Sequence, residues 1–245
     1  MKTPKVLIVR APGTNCDMET ADSFKYLGAK PELAHIAGLT SGAVKIGDCD
    51  ILVFPGGFSY GDYIAAGRIV TAQLEKIASD LKKFIASGRP VIGICNGFQV
   101  LVKAGFLPFS GRGQQASFTF NDNGHFTAKW VRLRINKNSP CLFAKGLPDE
   151  IELPIAHGEG KFVAQSPEVL GELKAKNCIA FRYVKNPNGS QEAIAGLSNP
   201  EGNCLGIMPH PERYAFPFQH PAWHRHGGKY AAGLEILRNA VKHVS

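Results

Sequence analysis

The chain has 245 residues, 44% of them hydrophobic, and a formal charge of +8. That length can bury one large core and permits one domain or two, while its longest apolar runs, Ile51-Leu52-Val53-Phe54 and Val91-Ile92-Gly93-Ile94, are strand-sized and too short for a membrane helix. The basic residues are spread, without a block of five or a recognisable binding module, so the charge reads as a solvated surface or a face that docks on an acidic partner subunit, not as a nucleic-acid site.

The first residues, Met1-Lys2-Thr3-Pro4-Lys5, run into apolar Val6-Leu7-Ile8-Val9 with no signal-peptide architecture. Residues 5–9 are expected to form a strand and 16–27 a helix that opens with Asp17 and Glu19. Residues 51–54 read as a buried strand closed by Pro55-Gly56-Gly57, and 69–86 as a helix with Ile69, Leu74, Ile77, Leu81 and Ile85 at helical spacing. Gly88-Arg89-Pro90 breaks that helix, residues 91–94 form the next strand, and 96–104 a helix stopped by Gly105. Strands alternating with helices imply a mostly parallel sheet flanked by helices.

Beyond residue 116 the texture changes. Residues 117–120 and 130–135 alternate polar and apolar residues around Asn121-Asp122-Asn123-Gly124, a hairpin signal. Further strands are expected at 151–155, 193–197 and 204–208, and a closing amphipathic helix at 231–244. The result is a single α/β domain over 1–245 with a small antiparallel extension.

The chemistry centres on Gly93-Ile94-Cys95-Asn96-Gly97. A strand ends at a cysteine between two glycines and a helix begins at once, the strand–turn–helix setting of a nucleophile elbow with cysteine in the place of serine. A thiol there meets the unpaired N–H groups and dipole of a helix N-terminus, which favour the thiolate. Two pairs could supply a base and an orienting carboxylate: His210-Pro211-Glu212 and His157-Gly158-Glu159, each directly after an expected strand. Spacing alone does not choose between them. Backbone N–H groups at Gly57 and Asn96 are candidate oxyanion donors. The other cysteines (16, 49, 141, 178 and 204) form no C-x-x-C pair and no metal spacing, which suits a reducing compartment and a cytoplasmic protein. The histidine-rich stretch from His220 to His226 matches no closed ligand set and reads as surface histidines.

Five motifs stand in order: Pro12-Gly13-Thr14-Asn15-Cys16-Asp17, Pro55-Gly56-Gly57-Phe58-Ser59-Tyr60-Gly61-Asp62, Cys95-Asn96-Gly97-Phe98-Gln99, Ala156-His157-Gly158-Glu159-Gly160 and Met208-Pro209-His210-Pro211-Glu212-Arg213. Together they resemble the class I, triad-type glutamine amidotransferases, and among them the family of glutaminase subunits of phosphoribosylformylglycinamidine synthases, over residues 5–214. The resemblance implies a flavodoxin-like fold. It also implies a triad of Cys95, His210 and Glu212, an oxyanion hole at Gly57 and Asn96, and a substrate contact at Gln99. His157 and Glu159 are left to support the site or to face a partner, and Cys16 to pack near it. The implied reaction is glutamine hydrolysis through a γ-glutamyl thioester. Ammonia would pass to a large synthetase subunit, accompanied by a further small subunit, that makes formylglycinamidine ribonucleotide in purine biosynthesis. This chain has no P-loop, so ATP and magnesium are expected on the partner and no cofactor or metal here. The competing readings are a glutaminase feeding another synthase, a silent structural homologue, and a stand-alone cysteine hydrolase. Retention of Cys95, His210 and Glu212 together argues against the silent homologue, and the full motif set against the other two.

Overall fold

The computed structural model describes residues 2–58, 72–225 and 230–245. The end of the second motif (Ser59-Tyr60-Gly61-Asp62), the start of the helix expected at 69 and His226 lie outside the described residues.

The chain begins with strand β1 (Lys5–Arg10), helix α1 (Asp17–Tyr26), β2 (Lys30–His35), the short helix α2 (Ile36–Thr40) and β3 (Ile51–Phe54). A 3-10 turn (Glu75–Ile77) leads into α3 (Ala78–Ala86), followed by β4 (Val91–Ile94) and α4 (Asn96–Lys103). Next come β5 (Ala116–Thr119), β6 (Thr127–Ile135), β7 (Glu150–His157), β8 (Lys161–Ala164), α5 (Pro167–Ala175), β9 (Ile179–Tyr183), β10 (Ile194–Ser198), β11 (Cys204–Ile207) and α6 (Ala232–Val244).

Nine strands form one sheet in the order β2-β1-β3-β4-β11-β10-β9-β6-β7. The first five are parallel to one another, in the flavodoxin-like order. From β11 onward each neighbour is antiparallel, so the extension is continuous with the parallel sheet. Strands β3, β4 and β11 are buried at every residue, because helices cover a parallel sheet on both faces and leave no position for a polar residue. The edge strand β7 instead alternates half-buried and buried residues along its length, the pattern of a strand with one wet face. Helices α1 and α6 pack against each other, and α4 packs on β3, β4 and β11. No described helix is long and apolar enough to cross a membrane.

The strands expected at 51–54 and 91–94 form with those bounds, and the others shift by one to three residues at their ends. The hairpin expected around Asn121 does not form. The turn is present, with Gly124 at φ 68° and its N–H donating to Asn121 O at 2.8 Å. However, β5 pairs with β8 in a separate two-stranded sheet, while β6 pairs with β7 and β9. Asn121 explains the divergence. Its Nδ2 donates to the carbonyls of both His125 and His157 at 2.9 Å, so the turn is tied across to the end of β7.

Candidate active site

Because β1, β3, β4 and β11 are parallel neighbours, their carboxyl ends open on one side of the sheet, where ligands of open α/β sheets bind. Each of these ends carries one of the motifs: residues 12–17 after β1, Pro55-Gly56-Gly57 after β3, Cys95 after β4 and His210 after β11. Strand β7 lies far along the sheet, yet its end reaches the same place. His210 N–H donates to Pro154 O at 2.8 Å, and Cys95 Sγ lies 3.8 Å from Ala156 O. The antiparallel half therefore coils back over the parallel half.

Cys95 caps α4 with φ 50° and ψ −105°, a conformation that side chains disfavour and that is held here from both sides. Its N–H donates to Ile207 O at 2.7 Å on the neighbouring strand, and its carbonyl accepts from Phe98 and Gln99 N–H at 3.0 and 3.1 Å. The helix starts so close to β3 that a Cβ on Gly97 would overlap the carbonyl of Phe54. Only glycine allows that approach.

Facing the thiol, His210 and Glu212 are almost fully buried, 2% and 1% exposed. His210 Nδ1 lies 2.6 Å from Glu212 Oε1, the distance of a strong charge-assisted hydrogen bond from ring N–H to carboxylate. Pro211 begins the 3-10 turn Pro211–Tyr214 that carries Glu212 back to the imidazole. Burial by itself would lower the affinity of His210 for a proton. The Glu212 carboxylate and the neighbouring sulfurs of Cys95 and Cys16 outweigh it, and the imidazole pKa is raised well above its ordinary value. The alternative base, His157, is also buried but sits on a different network, and its pKa falls to about 4 through burial and through the charge of His210. Geometry thus separates two His-x-Glu pairs that spacing leaves equivalent.

Asn96 directly follows Cys95, and Gly57 ends the adjacent strand loop, with φ 147° and a β-bridge to Thr14. Both stand where the oxyanion donors are expected. Gln99, 6% exposed, is engaged at both ends of its amide: Oε1 accepts from Asn96 Nδ2 at 3.0 Å and Nε2 donates to Glu159 O at 2.7 Å. It braces α4 against the loop after β7. Glu159 is half-buried, and His157, the last residue of β7, is inward-facing and not on a partner-facing surface.

Cys16 lies nearer the chemistry than its motif indicates. Its sulfur is 3.8 Å from His210 Nδ1 and accepts from Arg213 Nη2 at 3.1 Å, while Arg213 Nε donates to Glu19 Oε1 at 3.2 Å. Cys16, His210 and Glu212 have their donor atoms within 4.8 Å of one another, and the His210–Glu212 hydrogen bond accounts for the closeness of two of them. Burial raises the Cys16 pKa, so its thiol stays protonated beside the imidazole. Arg213, adjacent to Glu212 in the same motif, is the signal that could have drawn Cys16 into the site. Of the histidine-rich stretch, His220 is not a surface residue. It is buried, with its ring edge-on to Trp130 at 4.4 Å, Nε2 3.0 Å from Glu152 Oε2 and Nδ1 accepting from Ala222 N–H.

Comparison with known proteins agrees with this geometry. The phosphoribosylformylglycinamidine synthase subunit PurQ of Dehalococcoides mccartyi is 41% identical, over 99% of this chain and 98% of its own. The subunit of the same name from Methanococcus maripaludis strain C7 is 37% identical, again over 99% and 98%. Among solved structures, a chain of PurLQS from Thermotoga maritima superposes with a TM-score of 0.79 and 31% identity over the whole of both chains. The CobB/CobQ-like glutamine amidotransferase domain matches residues 3–244, and the chain belongs to that family.

Proposed function

We propose that this chain is the glutaminase subunit of a phosphoribosylformylglycinamidine synthase, an enzyme that hydrolyses glutamine and supplies ammonia to a synthetase subunit. The observation that carries the reading is the buried His210–Glu212 pair, joined at 2.6 Å, facing a cysteine held in an elbow at a helix N-terminus. The PurQ relatives extend it from the reaction to the pathway.

In this mechanism Cys95 Sγ attacks the side-chain carboxamide of glutamine, and the thiol proton resides on His210. Glu212, bonded to Nδ1, fixes the ring so that Nε2 faces the reacting atoms and stabilises the imidazolium. The raised pKa of His210 suits this role, since the imidazolium must persist until nitrogen departs and takes its proton. The N–H groups of Gly57 and Asn96 bind the oxyanion of the tetrahedral intermediate, a contribution of about 10² to 10³ in rate per donor in comparable sites. Water, activated by the now neutral His210, then cleaves the γ-glutamyl thioester. The ammonia is used by a large synthetase subunit that binds ATP and magnesium, with a further small subunit in the complex; no cofactor is assigned to this chain. The Thermotoga maritima neighbour is itself a chain of a PurLQS structure, which supports such an assembly.

The test is formation of formylglycinamidine ribonucleotide by the large synthetase with and without this chain. Adding it should convert ammonia-only synthesis into glutamine-driven synthesis, and Cys95→Ala should abolish the glutamine reaction while sparing the ammonia reaction. A synthetase that works with ammonia yet never uses glutamine in the presence of this chain and the further small subunit would refute the assignment.

A further inference from the structure

Two ring nitrogens in the site are buried without a hydrogen-bond partner among the described residues: Nε2 of His210 and Nε2 of His157. The first belongs to the mechanism above. The second has no role in it, and an unpartnered buried polar atom is costly unless a ligand completes it.

The state of His157 can be read from its neighbours. Asn121 Nδ2 donates to two carbonyls, those of His125 and His157, which makes Oδ1 its acceptor. Oδ1 receives both the Gly160 N–H and His157 Nδ1 at 3.1 Å. The proton of the neutral ring is therefore on Nδ1, and Nε2 is a bare lone pair. The ring is clamped in this orientation, because it lies so close over Gly160 that a Cβ there would overlap it. The loop is fixed in turn by Gln99 to Glu159 O and by Asn188 Nδ2 to Gly160 O at 2.8 Å. The preceding residue, Ala156, offers its carbonyl 3.8 Å from the Cys95 sulfur, and His157 is close enough to His210 to feel its charge.

Two buried imidazoles thus lie near Cys95, one with a donor, His210 Nε2–H, and one with an unpartnered acceptor, His157 Nε2. A carboxamide nitrogen on its way to becoming ammonia needs both: a proton for its lone pair and a partner for the N–H bonds it keeps. Resting on the glutaminase reading, we propose that His157 is a further catalytic residue, whose Nε2 accepts an N–H of the glutamine carboxamide and holds the departing ammonia without protonating it. When the tetrahedral intermediate collapses, the C–N bond breaks and its electron pair leaves with nitrogen. Nitrogen has taken one proton from His210 and none from His157, and the oxyanion becomes the thioester carbonyl. The product is neutral NH3, the nucleophilic form that a synthetase consumes, and a histidine kept unprotonated does not convert it to ammonium.

The experiment compares two substrates that form the same thioester, glutamine and the γ-methyl ester of glutamate, whose leaving oxygen has no N–H to donate. With the synthetase complex assembled, kcat/KM reports acylation for both. His157→Leu should lower kcat/KM for glutamine about tenfold, the size of one hydrogen bond to a neutral acceptor. It should leave the ester within about twofold of wild type. His157→Ala provides the same ratio if the leucine variant does not fold. An amide-to-ester ratio that stays at the wild-type value overturns the inference, whether neither rate falls or both fall together, since His157 would then act only as a brace. A wild-type complex that hydrolyses the ester but not glutamine would overturn the glutaminase reading itself.

Discussion

The backbone of Cys95, at φ 50° and ψ −105°, should make the nucleophile position more stable as glycine than as alanine. Alanine removes only the sulfur and keeps the Cβ that makes this conformation unfavourable, so Cys95→Ala is the proper reference for Cys95→Gly. A ψ of −105° lies outside the small left-handed region in which other residues at positive φ are found, which puts the strain near the upper end of the usual range, about 3 kcal/mol. Against it stand about 0.5–1 kcal/mol for the greater freedom of glycine in the unfolded chain and about 0.8 kcal/mol for the lost burial of one methyl. About 1.5 kcal/mol remains in favour of glycine, roughly 3–6 °C in Tm for a chain of this size. Urea denaturation of the two variants gives the difference directly as a shift in midpoint at constant slope. Both variants lack the thiol, so activity does not enter the comparison. A glycine variant equal to or less stable than the alanine variant would show that the elbow stores no strain, and that the bonds from Cys95 to Ile207 and from Phe98 and Gln99 to Cys95 hold an already relaxed turn.

His157, with a folded-state pKa of about 4 against an ordinary 6.5, is protonated in the unfolded chain before it is protonated in the folded one. Its contribution to stability is present above pH 6.5 and is lost as pH falls towards 4, by about 2 kcal/mol between pH 7 and pH 5. Urea denaturation at both pH values should show that loss shrink by the same amount in His157→Leu, and an unchanged pH dependence would contradict the neutral buried ring. Gly56→Ala would place a Cβ 2.8 Å from His210 Cε1 and 3.2 Å from Cys16 Sγ, displacing the imidazole. Glutamine-dependent turnover should fall by about 10²-fold, the effect of misplacing a catalytic group by an ångström, while ammonia-dependent synthesis by the complex is unchanged; an unaffected glutamine rate would mean the imidazole position is not critical.

What the sequence by itself determines here is local. Unbroken apolar runs mark β3 and β4 because a parallel strand is buried on both faces, and the glycines around Cys95 mark the elbow because no side chain fits between a helix start and its neighbouring strand. Helix α5 carries an equally local signal: Ser166 caps it, accepting from Val169 N–H, and Pro167 occupies its first turn. Edge strand β2, with Pro31 and mostly exposed or half-buried residues, carries no apolar pattern to read. The turn at Asn121 is legible, but the pairing of its flanking strands is not, because sequence shows a turn and not the partner that buries each face. Spacing leaves the two His-x-Glu pairs equivalent and the family resemblance implies one of them; the tertiary structure supplies the physical reason. The parallel order of β4 and β11 brings His210 to Cys95, while Asn121 takes His157 Nδ1 and leaves that ring neutral. It also placed Cys16 against His210, 194 positions away along the chain. Such contacts follow from how a nine-stranded sheet coils to bury its faces, and no local preference encodes them.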